Sequence, residues 1–176
     1  MQQLILNPYL TDRRHEYYRF LTSGFIHANY LHLGFNMLSF YFFGELVEAW
    51  LGGFRFVLLY LAAIVISDIP TYLKYKNNSG YASLGASGAV SAIIFSSILL
   101  HPWNLIFVYF IPVPAFLFGF LYLFYSYYMD KRNGDIINHS AHFYGAIVGI
   151  VYTAALDITL VPQFFQHITE GIQRFL

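Results

Sequence analysis

The chain has 176 residues, of which 58% are hydrophobic, 21% aromatic and only 10% charged, a composition outside the range of soluble globular domains. Nine basic residues balance nine acidic ones, and the basic residues form no stripe with interleaved stacking aromatics, so nothing supports a nucleic-acid partner. Cysteine is absent, which excludes disulfides, iron-sulfur clusters and thiol catalysis.

This composition predicts an all-α fold, a polytopic transmembrane helix bundle forming one domain over residues 1–176 with the lipid bilayer as its surroundings. Met1 to Tyr9 shows neither a signal peptide nor a first transmembrane helix. Thr11 to Arg19 is the most charged stretch, and residues 1–30 read as a loop or interfacial segment at one membrane face.

Five apolar stretches, Leu31–Trp50, Phe54–Leu73, Leu84–Leu100, Leu105–Tyr128 and Ala141–Val161, each approach the roughly 20 residues that cross a hydrocarbon core, so five spans are predicted within residues 31–161. The first carries His32 and Asn36 on one helical face and ends in Glu45 and Glu48 before a turn at Gly52-Gly53. Asp68 and Pro70 interrupt the second, and Lys74 to Gly80 forms a polar loop. His101-Pro102-Trp103-Asn104 separates the third from the fourth, with Trp103 suited to the headgroup level. Pro112, Pro114 and Gly119 predict that the fourth kinks or opens locally. Asp130 to Asn138 is the last polar loop. In residues 162–176, Phe164, Phe165, Ile168, Ile172 and Phe175 recur at helical spacing against polar residues, the pattern of an interfacial amphipathic helix.

Polar and ionisable residues inside spans are costly, and each is a candidate for function. Ser87 lies in Gly85-Ala86-Ser87-Gly88, where missing side chains permit a sharp turn into a helix whose first N–H groups can face an anion. A serine hydroxyl needs a base to become a nucleophile, and its intermediate needs donors for the oxyanion. His142 is the candidate base; Gly145 and Gly149 make one face of its helix smooth enough for close approach by the Ser87 helix. His32 and Asn36 are candidate oxyanion donors or water positioners. Each element also has a purely structural reading: small residues mediate helix packing, and His or Asn forms interhelical hydrogen bonds.

Taken in order, His27-x4-His32-x3-Asn36, Glu48 with Gly52, Gly85-Ala86-Ser87-Gly88 and Ala141-His142-x2-Gly145-x3-Gly149 resemble the rhomboid family of intramembrane serine proteases over most of the chain. That resemblance implies a Ser87 nucleophile, a His142 general base, and an oxyanion site formed by His32, Asn36 and the Ser87 N–H. It implies structural roles for Arg19, in the pair Tyr18-Arg19, and for Glu48, Gly85, Gly88, Gly145 and Gly149. The implied substrates are transmembrane proteins, cleaved without cofactor or metal. The implied location is a bacterial inner membrane, with the site open to the extracytoplasmic side. The fourth span corresponds to the family's lateral access for substrate.

Three features depart from the family pattern. A span before Arg13-Arg14 is missing, so the chain is either truncated at its start or a five-span form. Ser91 stands where many members have an aromatic residue four positions after the serine, so other contacts must orient the histidine. Arg13, Arg14, Arg19, Lys74, Lys76, Lys131 and Arg132 fall on the side that the family makes extracytoplasmic, against the positive-inside rule. The alternatives are a rhomboid-like protein that binds transmembrane helices without cleaving them, a metal site around His139 and His142, and a proton relay through Asp68 and Asp157. Asp135 has no helical relation to the two histidines, and no paired broken helices are visible, so the last two are the weaker readings.

Overall fold

The computed structural model describes residues 2–108, 110–132 and 137–174; Asp135 and Phe175 lie outside these described residues. Asparagine starts three of the helices by accepting a backbone N–H that the first turn leaves unpaired. Asn7 receives Leu10 at 2.9 Å and opens α1 (Pro8–Arg14), Asn29 receives His32 at 2.8 Å and opens α3 (Tyr30–Leu51), and Asn138 receives Ala141 at 3.1 Å and opens α7 (His139–Leu156). Between the first two, α2 (Arg19–Thr22) runs into a 3-10 turn at Ser23–Phe25. Helix α3 stops at Gly52, whose φ of 77° suits a residue without a side chain, and α4 (Gly53–Tyr75) begins at once. Helix α5 (Ser87–Leu100) is buried from Gly88 to Leu99, apolar around nearly its whole circumference, as a helix surrounded by others must be. It packs against α3, α4, α7 and α6 (Ala115–Arg132), and the amphipathic α8 (Leu160–Gln173) follows α7 after a bend of 107°.

Large apolar side chains such as Phe35, Phe42, Phe54, Phe120 and Phe124 remain exposed on the outer faces of α3, α4 and α6. Water would penalise such a surface; hydrocarbon does not. Among the described residues α4 is the one helix long and apolar enough by itself to cross a membrane, and α7 with α8 passes as a bent pair.

One expectation changes. Leu105–Tyr128 is not a continuous helix: β1 (Leu105–Val108) pairs antiparallel with β2 (Ile111–Pro114), and only then does α6 begin. Pro112 and Pro114 therefore kink nothing. They lie in a two-stranded ribbon with open edges, where a missing N–H is tolerated. Pro70, by contrast, sits inside α4, which continues past it to Tyr75. The described part of the N-terminal segment, residues 2–30, carries α1, α2 and the 3-10 turn. Leu6 and Ser83 exchange backbone hydrogen bonds of 3.0 and 2.9 Å, and Gly85 donates its N–H to Ser23 O at 3.0 Å, so the N-terminal segment braces the turn into α5. The other predicted helices shift only at their ends: α5 starts at Ser87 rather than Leu84, and α7 ends at Leu156 rather than Val161.

Helices α5 and α7 touch backbone to backbone. A Cβ on Gly145 would collide with the Gly88 carbonyl, and one on Gly149 with the Ala92 carbonyl. On its other side Gly88 faces the Ser67 hydroxyl of α4, again with no room for a side chain. Deeper in the seam, Thr153 donates to Ser96 Oγ at 2.8 Å, and Ser96 Oγ lies 2.9 Å from Ala92 O and 3.2 Å from Gly149 O. Small residues permit the approach and hydroxyls tie it.

Helical glycine costs about 1 kcal/mol relative to alanine, so Gly→Ala at an open position should stabilise. Gly34 has nothing within 4 Å of an added Cβ, and Gly34→Ala should raise the melting temperature in detergent, whereas Gly149→Ala should lower it by several degrees. A Gly149→Ala protein melting above the parent would contradict the seam. The turn before α5 is as constrained: Gly85 has φ 115°, and a Cβ there would lie 2.6 Å from His32 Cε1 and 2.8 Å from His32 Nε2. Gly85→Ala should therefore both destabilise the fold and displace His32, read as a lower melting point and altered imidazole resonances; unchanged values of both would refute it.

Candidate active site

Ser87 opens α5, entered from Ala86 at φ −79° and ψ 2° with no side-chain cap. The first N–H groups of the helix are thus not consumed by a capping oxygen, and they point toward the side from which an anion would approach. His142 lies one turn into α7. Since Gly88 and Gly145 hold the two backbones together, the residue before Gly88 and the residue three before Gly145 meet across the seam. Ser87 Oγ is 2.8 Å from His142 Nε2, hydrogen-bond distance, with both side chains partly buried. In the tautomer with its proton on Nδ1, His142 accepts from the serine hydroxyl, the arrangement that proton removal needs.

The other predicted residues fall around this pair. The His32 imidazole lies against Gly85, two residues before Ser87. Asn36, 5% exposed, is one turn further along α3 and spends one amide hydrogen on the His32 carbonyl at 2.9 Å. His27 packs edge-on against His32, with ring centroids 5.1 Å apart. Burial pushes the His27 pKa below the usual range, and neighbouring His32 pushes it further.

Arg19 is 3% exposed, and it acts on the turn that leads to Ser87. Its Nε donates to Glu16 Oε2 at 2.6 Å, and its Nη1 donates to Gln2 O and Ile5 O at 2.9 Å each. It thereby holds the strand-like segment whose Leu6 pairs with Ser83. Glu48 is exposed in the last turn of α3, where its carbonyl receives the Gly52 N–H at 2.8 Å. Its Oε1 would lie 3.4 Å from a Cβ on Gly53, so the carboxylate stands over the start of α4, the end of a helix that favours negative charge. Gly88, Gly145 and Gly149 are the seam residues described above.

Three residues around the pair, Tyr122, Tyr125 and Asn138, escaped the sequence reading. Tyr122 of α6 stacks beside His142 with centroids 6.2 Å apart and planes 18° from parallel, and its hydroxyl lies 2.7 Å from Ser91 Oγ. Tyr125 meets His139 edge-on at 5.5 Å, and His139 meets His142 edge-on at 6.0 Å. Asn138, besides capping α7, donates to Asp68 Oδ1 at 3.1 Å and accepts from Thr71 Oγ1 at 2.9 Å, which fixes the start of α7 to α4. The sole sequence hint was spacing: Tyr122 and Tyr125 are three apart, as are His139 and His142. An apolar cavity of about 590 Å³ among Phe95, Ile98, Phe116, Leu123, Phe164 and Ile168 is not lined by Ser87 or His142.

A family model described as the rhomboid domain matches residues 14–157. Rhomboid-like protein 11, chloroplastic, of Arabidopsis thaliana is 34% identical over 163 residues, covering 84% of this chain and 55% of that protein. RHOMBOID-like protein 12, mitochondrial, of the same plant is 29% identical over 175 residues, covering 88% and 52%. Rhomboid protease GluP of Bacillus subtilis (strain 168) is 28% identical over 158 residues, covering 89% of this chain and 29% of that protein. The chain therefore spans about half the length, or less, of these curated relatives. Their names point to a chloroplast and a mitochondrion as well as a bacterium, so the expected bacterial inner-membrane location gains no support from them. A helical bundle with an apolar exterior, assembled around an α5–α7 seam and matched over residues 14–157, makes this chain a membrane-integral member of the rhomboid family.

Proposed function

We propose that the chain is an intramembrane serine endopeptidase that cleaves the transmembrane segments of other membrane proteins with Ser87 and His142. The observation that carries this reading is the 2.8 Å approach of Ser87 Oγ to His142 Nε2 at the uncapped start of a buried helix. His142 takes the hydroxyl proton as Ser87 Oγ attacks the scissile carbonyl carbon, giving a tetrahedral oxyanion. The Ser87 N–H, the His32 imidazole and the Asn36 amide supply donors to that oxygen, the positions where negative charge develops. Collapse passes the proton from His142 to the leaving amine and leaves an acyl ester on Ser87. Water, deprotonated by His142, then attacks the ester, and the Ser87 hydroxyl is restored.

The depth of the site follows from length. Helix α5 has 14 residues, about 21 Å at the α-helical rise, against a hydrocarbon core of about 30 Å. With its C-terminal end at the face marked by Trp103, Ser87 stands about 9 Å below the opposite face. Water for the second step then has to come from the side bearing Arg13, Lys74 and Lys131, the side the family resemblance makes extracytoplasmic. A relative that only binds transmembrane helices would need no such aligned pair.

In detergent, a fluorophosphonate probe should label Ser87, and Ser87→Ala and His142→Ala should each abolish labelling while chelators leave it unchanged. The rate should fall as the pH drops and His142 is protonated. A folded parent that never labels would favour a binding-only role; labelling that persists in Ser87→Ala would place the nucleophile elsewhere.

A further inference from the structure

The base of the dyad has an aromatic neighbour that comes from neither the serine helix nor its own. Tyr122 of α6 lies almost parallel to His142, with centroids 6.2 Å apart, an offset arrangement within the range where ring pairs attract. Its hydroxyl is tied to Ser91 Oγ at 2.7 Å, one turn after Ser87 on α5. Phe95 and Phe118 pack on the same tyrosine ring at 5.6 and 5.7 Å, which leaves it little freedom to rotate. One turn along α6, Tyr125 meets His139 of α7. Thus α6 presents two tyrosines, three residues apart, to two histidines at the same spacing on α7. Closer to its start, α6 approaches α5 through Gly119, where a Cβ would lie 3.2 Å from Ile98 Cδ1 and 3.4 Å from Phe95 Cε1.

We propose that Tyr122 is the positioning residue for His142, and that the Tyr122–Ser91 hydrogen bond makes the orientation of the base depend on how α6 is seated against α5. The inference rests on the assignment of His142 as the base. A serine at position 91 leaves space beside the imidazole that a ring carried by α6 fills, so the seating of α6 and the aim of Nε2 are one event. When α6 moves away, the stacking ring leaves with it, and His142 loses the surface that holds its ring plane toward Ser87. Tyr122 touches the base and not the reacting atoms, so it should change the rate of the serine's chemistry rather than the affinity for substrate.

The test compares Tyr122→Leu, Tyr122→Phe and Ser91→Ala in the full chain, by fluorophosphonate labelling rate, by kcat and KM on a transmembrane peptide, and by melting temperature. Tyr122→Leu should lower kcat and the labelling rate about tenfold, with KM within about twofold. Tyr122→Phe, which keeps the ring, and Ser91→Ala, which keeps every ring, should each lose about threefold. Ser91→Ala also keeps the question answerable should Tyr122→Leu fail to fold. Equal rates in parent and Tyr122→Leu, or a Phe variant as slow as Leu, would overturn the proposal. A parent that does not label would take down the His142 assignment and this inference together, whereas a labelled parent with unaffected variants would remove the inference alone.

Discussion

The contact on which the rest depends is the backbone approach of α5 to α7 at Gly88 with Gly145 and at Ala92 with Gly149. In lipid no hydrophobic effect pulls two apolar helices together, so association rests on close van der Waals contact and on the few polar groups that can reach across. Both are present here. The glycines bring carbonyl groups of one helix onto the Cα atoms of the other, and Ser96 with Thr153 supplies hydroxyl bonds deeper in the seam. The Ser87–His142 distance is the visible result of that approach. Had either helix carried ordinary side chains at these positions, the two backbones would stand apart by ångströms and the hydroxyl would be out of reach of the imidazole.

Around the seam, separate devices hold its two ends. Asn138 caps α7 and ties it to Asp68 and Thr71 of α4, so the helix that carries the histidine starts from a fixed point. At the other helix the N-terminal segment does the equivalent work. Arg19 grips the Gln2 and Ile5 carbonyls, Leu6 pairs with Ser83, and Ser23 receives the Gly85 N–H. Arg19 therefore shapes the turn before the serine through the backbone it holds. A guanidinium is suited to this because its fork satisfies several carbonyls at once.

The candidate site was largely legible in the sequence because it is built from residues that a lipid-facing helix avoids. Ser87, His142, His32 and Asn36 stood out against apolar runs, and the glycines around them marked where helices approach. What lay hidden were contacts between distant elements. Tyr122 is one of many tyrosines in its stretch, and only the packing of α6 singles it out. The Leu105–Tyr128 stretch misled because a run of apolar residues is equally compatible with a buried helix and a short apolar ribbon, and its two prolines argued for a kink as readily as for a strand edge. The pairing of Leu6 with Ser83 and of Ser23 with Gly85 was hidden for the same reason, since it joins segments about 60 to 80 residues apart.

The most direct measurement uses a single-span membrane protein reconstituted with the chain in liposomes, its products mapped by mass spectrometry. The account expects scission of one peptide bond in or beside the substrate's transmembrane segment by the parent protein, and none by Ser87→Ala or His142→Ala. Scission that survives in Ser87→Ala would contradict it, as would intact substrate after incubation with parent protein shown to be folded and able to bind it.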